Sequence, residues 1–285
     1  MYSEGDELCC QLCQQTGLTK FEIKDSNILW LCPDCELYQY GQMVDESAYA
    51  SDYHEGYEKH RDKKIKTARI RLNRVASLLS SDDHEDISLL DIGCSVGATL
   101  EAAKAFHWRA TGVDVSDDAV EFCQSKGLDA VKVGGLELPY ADNTFDVVVN
   151  WHVVEHVEDV RTTLAEWKRV LKPGGVLFME TPDASSPKVR KLGVKYRKFW
   201  APEHTYTFTY DNLAKFLEKT GMEIVQGDWI GSLSNHGPLF APYAFMYRLF
   251  HGLRRTVGVH KEFQIFARKP VDVSSRAVNR VPAAA

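Results

Sequence analysis

The sequence predicts an α/β fold: a doubly wound parallel sheet with helices on both faces, preceded by a small N-terminal metal-binding module. From residue 87 onward, short apolar runs alternate with amphipathic stretches at the spacing of strand–helix units. Five of the seven cysteines lie in the first 35 residues, before that alternation begins. The 285 residues are therefore divided into a module over 1–45, a linker and leading helix over 46–86, an α/β domain over 87–269 and a tail over 270–285 that we expect to be disordered.

The elements of the predicted sheet follow one another in order. A leading helix is predicted over Tyr57–Ser80, where apolar residues recur every three or four positions. Five buried strands are predicted at Ile87–Ile92, Ala110–Val115, Ala130–Val133, Phe145–Asn150 and Val176–Glu180. Three helices alternate with them, at Ala98–Phe106, Asp117–Lys126 and Val160–Leu171, and Lys172-Pro173-Gly174-Gly175 ends the last of these. A further helix (Tyr210–Thr220) and two strands (Met222–Asp228 and Glu262–Ala267) complete the pattern.

Composition excludes several classes of protein. Hydrophobic residues make up 44% and charged residues 26%, which are globular values. The formal net charge of −6 argues against a nucleic-acid partner. The N-terminus has no basic and apolar signal segment, and the apolar-rich stretch Pro238–Leu253 is too short and too polar to span a bilayer. We therefore expect a cytoplasmic protein with reduced thiols.

The N-terminal cysteines form two CxxC pairs. Cys10 and Cys13 are separated by 18 residues from the second pair, Cys32 and Cys35. Four thiolates at this spacing suit one tetrahedral Zn²⁺, and a module of this size needs a metal because its apolar core is small. The predicted site is closed and therefore structural. Cys9 is an alternative to Cys10, although its spacing to Cys13 is less usual.

A glycine-containing loop follows the first strand of the α/β domain. Gly93 allows a tight turn and close approach of a ligand, and the next helix N-terminus favours a negative group. Asp114, at the end of the second strand, suits the two hydroxyls of a ribose. The NAD fingerprint G-x-G-x-x-G/A is matched only in degraded form, as Gly93-x-Ser95-x-x-Ala98.

Five sequence segments instead resemble, in order, the motifs of class I S-adenosylmethionine-dependent methyltransferases. They are Leu89–Gly97 (LLDIGCSVG), Val113–Ser116 (VDVS), Leu138–Asp146 (LPYADNTFD), Val154–Val157 (VEHV) and Leu171–Gly175 (LKPGG). The resemblance covers about residues 57–268, within the small-molecule branch of that family.

The resemblance implies a Rossmann-like seven-stranded sheet whose final strand is antiparallel, with S-adenosylmethionine as cofactor. It assigns the methionine part of the cofactor to the Gly93–Gly97 loop and the ribose to Asp114. The full set of implied cofactor residues is Asp91, Gly93, Cys94, Gly97, Asp114 and Asn150. The chain departs from the family at residues 133–137, where Val-Gly-Gly-Leu-Glu replaces the usual Gly-Asp-Ala, so the adenine contact falls to the backbone or to Glu137.

The acceptor site is expected beyond the carboxyl ends of the strands, near Trp151, His152 and Glu180–Asp183. His204 lies in a Pro-Glu-His segment that resembles the corresponding segment of that family, and it is the candidate general base. Six cations between residues 187 and 200 are candidates for holding a phosphate or carboxylate, with a solvated loop as the alternative. The aromatic stretch Ile230–Lys261 is either a lid over an apolar acceptor or a cover for a sheet edge or dimer interface.

These observations predict a methyltransferase that acts on a small molecule or glycan precursor by SN2 transfer. An RNA base methyltransferase is an alternative, because zinc ribbons precede some of those domains. The net charge and the sequence Asn150-Trp151-His152-Val153, where an N-P-P-Y motif would stand, argue against it. An NAD-dependent oxidoreductase and an inactive zinc-ribbon adaptor remain as further alternatives.

Overall fold

The computed structural model describes residues 8–22, 28–40, 58–79, 86–193, 204–231 and 260–271. These residues form two sheets. The larger has seven strands: β4 (Ser88–Ile92), β5 (Arg109–Asp114), β6 (Asp129–Lys132), β7 (Phe145–Trp151), β8 (Leu171–Pro182), β10 (Glu223–Gly231) and β11 (His260–Arg268). The smaller has four: β1 (Thr19–Glu22), β2 (Ile28–Leu31), β3 (Tyr38–Tyr40) and β9 (Tyr206–Thr207). The helices are α1 (Arg61–Ala76), α2 (Ala98–Ala103), α3 (Asp117–Ser125), α4 (Val160–Val170), α5 (Pro187–Leu192) and α6 (Tyr210–Lys219).

The larger sheet confirms the predicted α/β architecture. Its strand order is β10-β11-β8-β7-β4-β5-β6, and β11 is antiparallel to both of its neighbours, as the resemblance implies. The other neighbouring pairs are parallel, which places the carboxyl ends of β4, β5, β7 and β8 at one edge. Because both faces are covered by helices, the central strands are nearly continuous runs of apolar residues.

Each face of the larger sheet has its own apolar core. Val148 packs on the face that α4 and α6 cover, with Trp167 and Leu213. Val147 and Phe178 pack on the opposite face, which α1 covers with Leu72. The alternation of neighbouring residues between two cores follows from the two-residue period of a strand.

Local capping explains where three of the helices begin. The hydroxyl of Ser116 accepts a hydrogen bond from the first turn of α3, and the carboxylate of Asp159 accepts two from α4. Thr209 and Asn212 form a reciprocal capping box at the start of α6. Such caps satisfy amide groups that a helix itself leaves unpaired.

Two predicted boundaries were wrong for tertiary reasons. The sequence placed the strand at Val176–Glu180, but β8 begins at Leu171, directly after α4, and the Pro-Gly-Gly turn is an irregularity inside it. The Cβ of any other residue at Gly175 would lie 2.9 Å from the carbonyl oxygen of Asp146, so the two backbones approach too closely for a side chain. The strand also continues to Pro182, because β11 pairs with it as far as that residue.

The smaller sheet joins the N-terminal segment to the α/β domain, a connection that the sequence did not predict. Strand β9, from the second half of the chain, pairs with β3. Cys10 and Leu12 pack in the same apolar cluster as Phe208 and Leu213 of the α/β domain. The short helix α5 and β9 were also not predicted.

Several predictions fall outside the described residues. They include residues 232–259 of the predicted lid, residues 46–57 of the predicted linker, the tail from residue 272 and the cations at 195, 197 and 198. None of the helices in the described ranges has the length and apolar character that crossing a bilayer requires.

Candidate active site

The glycine loop after β4 is bound to the end of β5 by backbone hydrogen bonds. The amides of Gly93 and Cys94 donate to the carbonyl oxygen of Val113, at 2.8 and 3.1 Å. One carboxylate oxygen of Asp114 accepts from the amide of Ser95 at 2.8 Å, and the other accepts from Ser116 at 3.0 Å. The half-buried carboxylate of Asp114 therefore braces the loop and retains lone pairs on both oxygens for a ligand.

Both loop glycines have left-handed backbones, with φ of +73° at Gly93 and +64° at Gly97. A Cβ at Gly93 would lie 2.5 Å from Cγ2 of Val153, and one at Gly97 would lie 2.5 Å from Cδ1 of Leu128. Side chains of the protein itself therefore exclude any residue other than glycine at these two positions. This packing is a second reason for the glycines, beside the expected close approach of a ligand.

Two buried polar side chains lie at the carboxyl ends of the central strands. Ile92 and Asn150 are register partners on β4 and β7, and Asp91 precedes Ile92. The Oδ1 atoms of Asp91 and Asn150 are buried, and neither has a hydrogen-bond partner among the described residues. Burial raises the pKa of the Asp91 carboxyl to about 7. Buried acceptors without donors are costly, so this edge fits a ligand that brings hydrogen-bond donors.

Cys94 lies differently from the other predicted cofactor residues. Its thiol packs in an apolar cluster with Leu100 and Cys123, where a Cβ on Gly112 would lie 2.7 Å from its Sγ. The hydrogen bond that the Cys94 thiol gives to Cys123, together with burial, raises the pKa of Cys94. A role of Cys94 toward a ligand would therefore fall to its backbone.

A network of charged side chains occupies the neighbouring part of the same edge, beyond the ends of β7 and β8. Nδ1 of His152 lies 3.2 Å from Oε1 of Glu155, and Nε2 lies 3.6 Å from Oε1 of Glu180. Arg71 of α1 forms an ion pair with Glu180 and stacks on Trp151, with its guanidinium carbon 4.4 Å from the ring centroid. The two carboxylates are buried, whereas 38% of the His152 side chain is exposed. His152 is thus the solvent-facing member of this network.

The electrostatics of the network favour an imidazolium at His152. Burial acts against the charged ring, but the hydrogen bonds and charges of Glu155 and Glu180 outweigh it and hold the pKa of His152 well above 6.5. Burial alone would raise the pKa values of both carboxyls. The charge of Arg71 and the contact with His152 instead lower the pKa of Glu180 to about 2, and His152 lowers that of Glu155.

His204 is buried beside this network. Its ring lies edge-on to that of His156, with the ring centroids 4.9 Å apart. A ring nitrogen from each histidine and an oxygen of Glu155 lie within 4.8 Å of one another. The next two amides, of Thr205 and Tyr206, both donate to the carbonyl oxygen of Glu155, at 2.8 and 3.0 Å. The structure thus brings His204 to the loop that follows β7.

The four cysteines of the two CxxC pairs converge. The Sγ atoms of Cys10 and Cys35 lie 3.4 Å apart, those of Cys13 and Cys32 lie 3.5 Å apart, and all four lie within 4.8 Å of one another. A tetrahedron with Zn–S bonds of about 2.3 Å has edges of about 3.8 Å, so the cluster has the dimensions of a zinc site. The hydrogen bond with Cys35 lowers the pKa of Cys10 to about 5. Cys9 lies outside the cluster.

Sequence reasoning placed His152 and Glu180 at this edge but missed their partners. Glu155 follows His152 by three residues, and this spacing was a usable signal. Arg71 comes from a helix 109 residues before Glu180, and no sequence pattern connects them.

Three features characterise an S-adenosylmethionine-dependent methyltransferase of the α/β class. The sheet is parallel except for the strand β11 near one end, a glycine loop follows its first strand in the chain order of the domain, and an acidic residue ends the second. A family model described as "Methyltransferase domain" matches residues 57–227, and the chain belongs to this family. The prediction of an S-adenosylmethionine-dependent methyltransferase is thereby confirmed.

Curated relatives match a large part of the chain. The chain is 31% identical over 176 residues to a ubiquinone biosynthesis O-methyltransferase of Dinoroseobacter shibae, covering 56% of this chain and 69% of the relative. It is 30% identical over 202 residues to O-methyltransferase rstn1 of Aspergillus nomiae, covering 66% and 87%. It is also 26% identical over 181 residues to ajmaline N-methyltransferase of Rauvolfia serpentina, covering 55% and 60%.

Solved structures share the fold. A SAM-dependent methyltransferase from Archaeoglobus fulgidus superposes with a TM-score of 0.56 at 24% identity, covering 76% of this chain and 99% of that one. At this identity the likeness concerns the fold alone.

Proposed function

We propose that this methyltransferase transfers the methyl group of S-adenosylmethionine to an oxygen, nitrogen or carbon atom of a small molecule or glycan precursor. The observation that carries the proposal is that two features lie side by side at one edge of the sheet. One is the glycine loop braced by Asp114, which can hold a cofactor. The other is the group of titratable side chains around His152. The relatives named as O- and N-methyltransferases support a small-molecule acceptor. The seven unbridged cysteines are compatible with a cytoplasmic location.

The proposed cofactor site consists of Asp91, Gly93, Cys94, Gly97, Asp114 and Asn150. S-adenosylmethionine, when bound, supplies a methyl group that is already activated by its sulfonium. Asp114 accepts hydrogen bonds from the ribose hydroxyls with the lone pairs that Ser95 and Ser116 leave open. The buried Oδ1 atoms of Asp91 and Asn150 accept hydrogen bonds from the cofactor's donors, which satisfies atoms that otherwise pay a desolvation cost.

On the acceptor side we propose His204 as the general base. Its ring takes the proton that an acceptor hydroxyl or ammonium group loses. The nearby Glu155 carboxylate, within 4.8 Å, stabilises the resulting imidazolium. The zinc site of Cys10, Cys13, Cys32 and Cys35 is proposed as structural, because all four ligand positions are taken by protein thiols.

Two measurements test the proposal. Calorimetry should show binding of S-adenosylmethionine and no binding of NAD; the opposite result would overturn the cofactor assignment. Incubation with methyl-labelled cofactor and a small-molecule cell extract should then give a labelled product that identifies the acceptor.

The role of His204 is tested with that acceptor. His204→Ala should leave cofactor affinity unchanged and lower turnover by roughly 10²–10⁴. His107→Ala, at an exposed position on the helical layer, is the matched control and should leave both unchanged. A variant at His204 that loses stability and cofactor affinity together, with no selective loss of turnover, would show a structural role instead.

A further inference from the structure

We infer that the N-terminal cysteine cluster of Cys10, Cys13, Cys32 and Cys35, with the turns that carry it (the knuckle), positions the proposed acceptor side of the active site. Gln39 is the positioning residue that transmits this effect. The inference rests on the proposed zinc site and methyl transfer. It assigns the N-terminal module a role in the reaction beyond its own folding.

Gln39 belongs to the smaller sheet, and its side chain reaches the segment that carries the first cysteine pair. It is 3% exposed and occupies the middle of β3. Its Oε1 accepts from the amide of Gln11 at 3.2 Å, and its Nε2 donates to the carbonyl oxygen of Cys9 at 3.1 Å. These hydrogen bonds fix the first cysteine loop onto β3. Buried amides paired on both atoms specify a single geometry, because losing either partner leaves an unpaired polar group.

Strand β3 in turn holds the segment that carries His204. Gln39 is the register partner of Tyr206 on β9, and the amide of Tyr40 donates to the carbonyl oxygen of Thr205 at 2.9 Å. The amides of Thr205 and Tyr206 donate to the carbonyl oxygen of Glu155. Two successive hydrogen bonds, through Thr205, therefore connect Tyr40, the residue next to Gln39, to the backbone of Glu155.

A second set of contacts holds the other end of the same loop. Arg161, at the start of α4, donates to the carbonyl oxygens of Gln11 and Leu12 at 2.6 and 2.7 Å. The hydroxyl of Tyr206 donates to the carbonyl oxygen of Glu158 at 2.7 Å. The loop over residues 152–159 is thus attached to the knuckle directly through Arg161 and indirectly through β9. A knuckle fixed by a metal would hold this loop, and a knuckle released from its metal would free it.

The hydrogen bonds that hold the glycine loop and Asp114 are separate from those that hold the loop over residues 152–159. The hydrogen bonds of the glycine loop and Asp114 run between the ends of β4 and β5, on the far side of β7 from β8. Releasing the knuckle should therefore disturb the acceptor side and spare cofactor binding.

Hydrogen exchange on the full-length, zinc-loaded protein tests this inference. Gln39→Met keeps the length of the side chain and removes both hydrogen bonds. We expect amide exchange in residues 152–159 and 204–208 to be about tenfold faster or more, with residues 109–132 unchanged. Lys20→Met, at an exposed position on β1, is the control and should change neither segment. Removing zinc from the wild-type protein with a chelator should reproduce the Gln39→Met pattern without a substitution.

Two further readouts separate positioning from general loss of structure. S-adenosylhomocysteine should bind Gln39→Met within about twofold of its affinity for wild type. The titration midpoint of His152, followed by NMR of its ring, should fall toward the ordinary histidine value of about 6.5 as Glu155 loses its fixed place. Unchanged exchange in both segments, with zinc and S-adenosylhomocysteine bound, would overturn the inference and leave the proposed function intact. Wild-type protein that binds no S-adenosylhomocysteine or no zinc would overturn the proposed cofactor or metal site, and the inference with it.

Discussion

Replacing His152 with asparagine removes the cation that two buried carboxylates share. His152 has a left-handed backbone with φ of +55°, a conformation that asparagine tolerates better than most residues. Glu180 keeps its ion pair with Arg71 and its hydrogen bond from Gln264. Glu155 keeps the hydrogen bond from the hydroxyl of Thr181, at 2.9 Å, and the ring nitrogens of His156 and His204 within 4.8 Å. The cost of the substitution therefore falls mainly on Glu155.

The magnitude follows from the burial of the two partners. Removing one member of a buried ion pair costs about 3–5 kcal/mol when the remaining charge stays fully buried. Glu155 is 1% exposed, but the His152 side chain is 38% exposed, so water partly screens the pair. We therefore expect a smaller loss of about 2–3 kcal/mol in the free energy of unfolding at pH 6. For a chain of this size the melting temperature should fall by roughly 5–10 °C.

The loss should depend on pH with a defined sign. Because the folded-state pKa of His152 is raised, its contribution is complete below about 6.5 and is lost as pH rises through the folded value. The pKa values of Glu155 and Glu180 are lowered, so their contributions are present above about 4.3 and are lost as pH falls. The substitution should therefore cost most near pH 6 and least near pH 10.

Denaturant unfolding at these two pH values measures the effect. His107→Asn is the matched control, because His107 also has a left-handed backbone, with φ of +59°, but is exposed. Adding Glu155→Gln to His152→Asn should recover at least half of the loss, since it removes the unpaired charge. An equal loss at both pH values, or no recovery in the double variant, would refute the assignment of the cost to an unpaired carboxylate.

Three other predictions concern the cofactor and the metal. Asp114→Ala should weaken S-adenosylmethionine binding by about 1–3 kcal/mol in calorimetry. The control Asp118→Ala, at an exposed position of α3, should not weaken it. Equal affinities of the two variants would remove Asp114 from the proposed cofactor site. Elemental analysis should find one zinc per chain, lost in Cys32→Ser and kept in Cys9→Ser; the reverse pattern would revise the ligand set. Because the Asp91 carboxyl has a pKa raised to about 7 by burial, affinity for the cationic cofactor should rise with pH through that value. Asp91→Asn should abolish this dependence, and a wild-type affinity that is flat between pH 6 and 8 contradicts it.

The geometry of the proposed cofactor site was predictable from sequence because its parts are local. Gly93 follows β4, Gly97 precedes α2 and Asp114 ends β5, so the strand–helix alternation fixes the place of all three relative to the sheet. The parallel pairing of β4 with β5 then brings the loop to Asp114 without any further information.

The proposed acceptor side was less predictable because its contacts are distant in sequence. Arg71 reaches Glu180 only because α1 packs across the sheet, and Gln264 reaches Glu180 from the antiparallel strand β11. Strand β9 has two residues, too few for any periodicity, and exists because β3 supplies its partner. Tertiary pairing, which no local pattern encodes, decided each of these elements.

The contact between Gly93 and Val153 joins the two sides. The glycine of the cofactor motif leaves space for a side chain of the loop after β7, since a Cβ there would lie 2.5 Å from Val153. Two residues after Val153, the carbonyl oxygen of Glu155 accepts hydrogen bonds from the amides of Thr205 and Tyr206. Thr205 precedes and Tyr206 begins β9, which pairs with β3 in the smaller sheet. The requirement for glycine at position 93 is therefore set by the acceptor loop as much as by a ligand. A side chain at position 93 would push the loop after β7 against a backbone that β9 holds, so the shape of the proposed acceptor side depends on a residue of the proposed cofactor site.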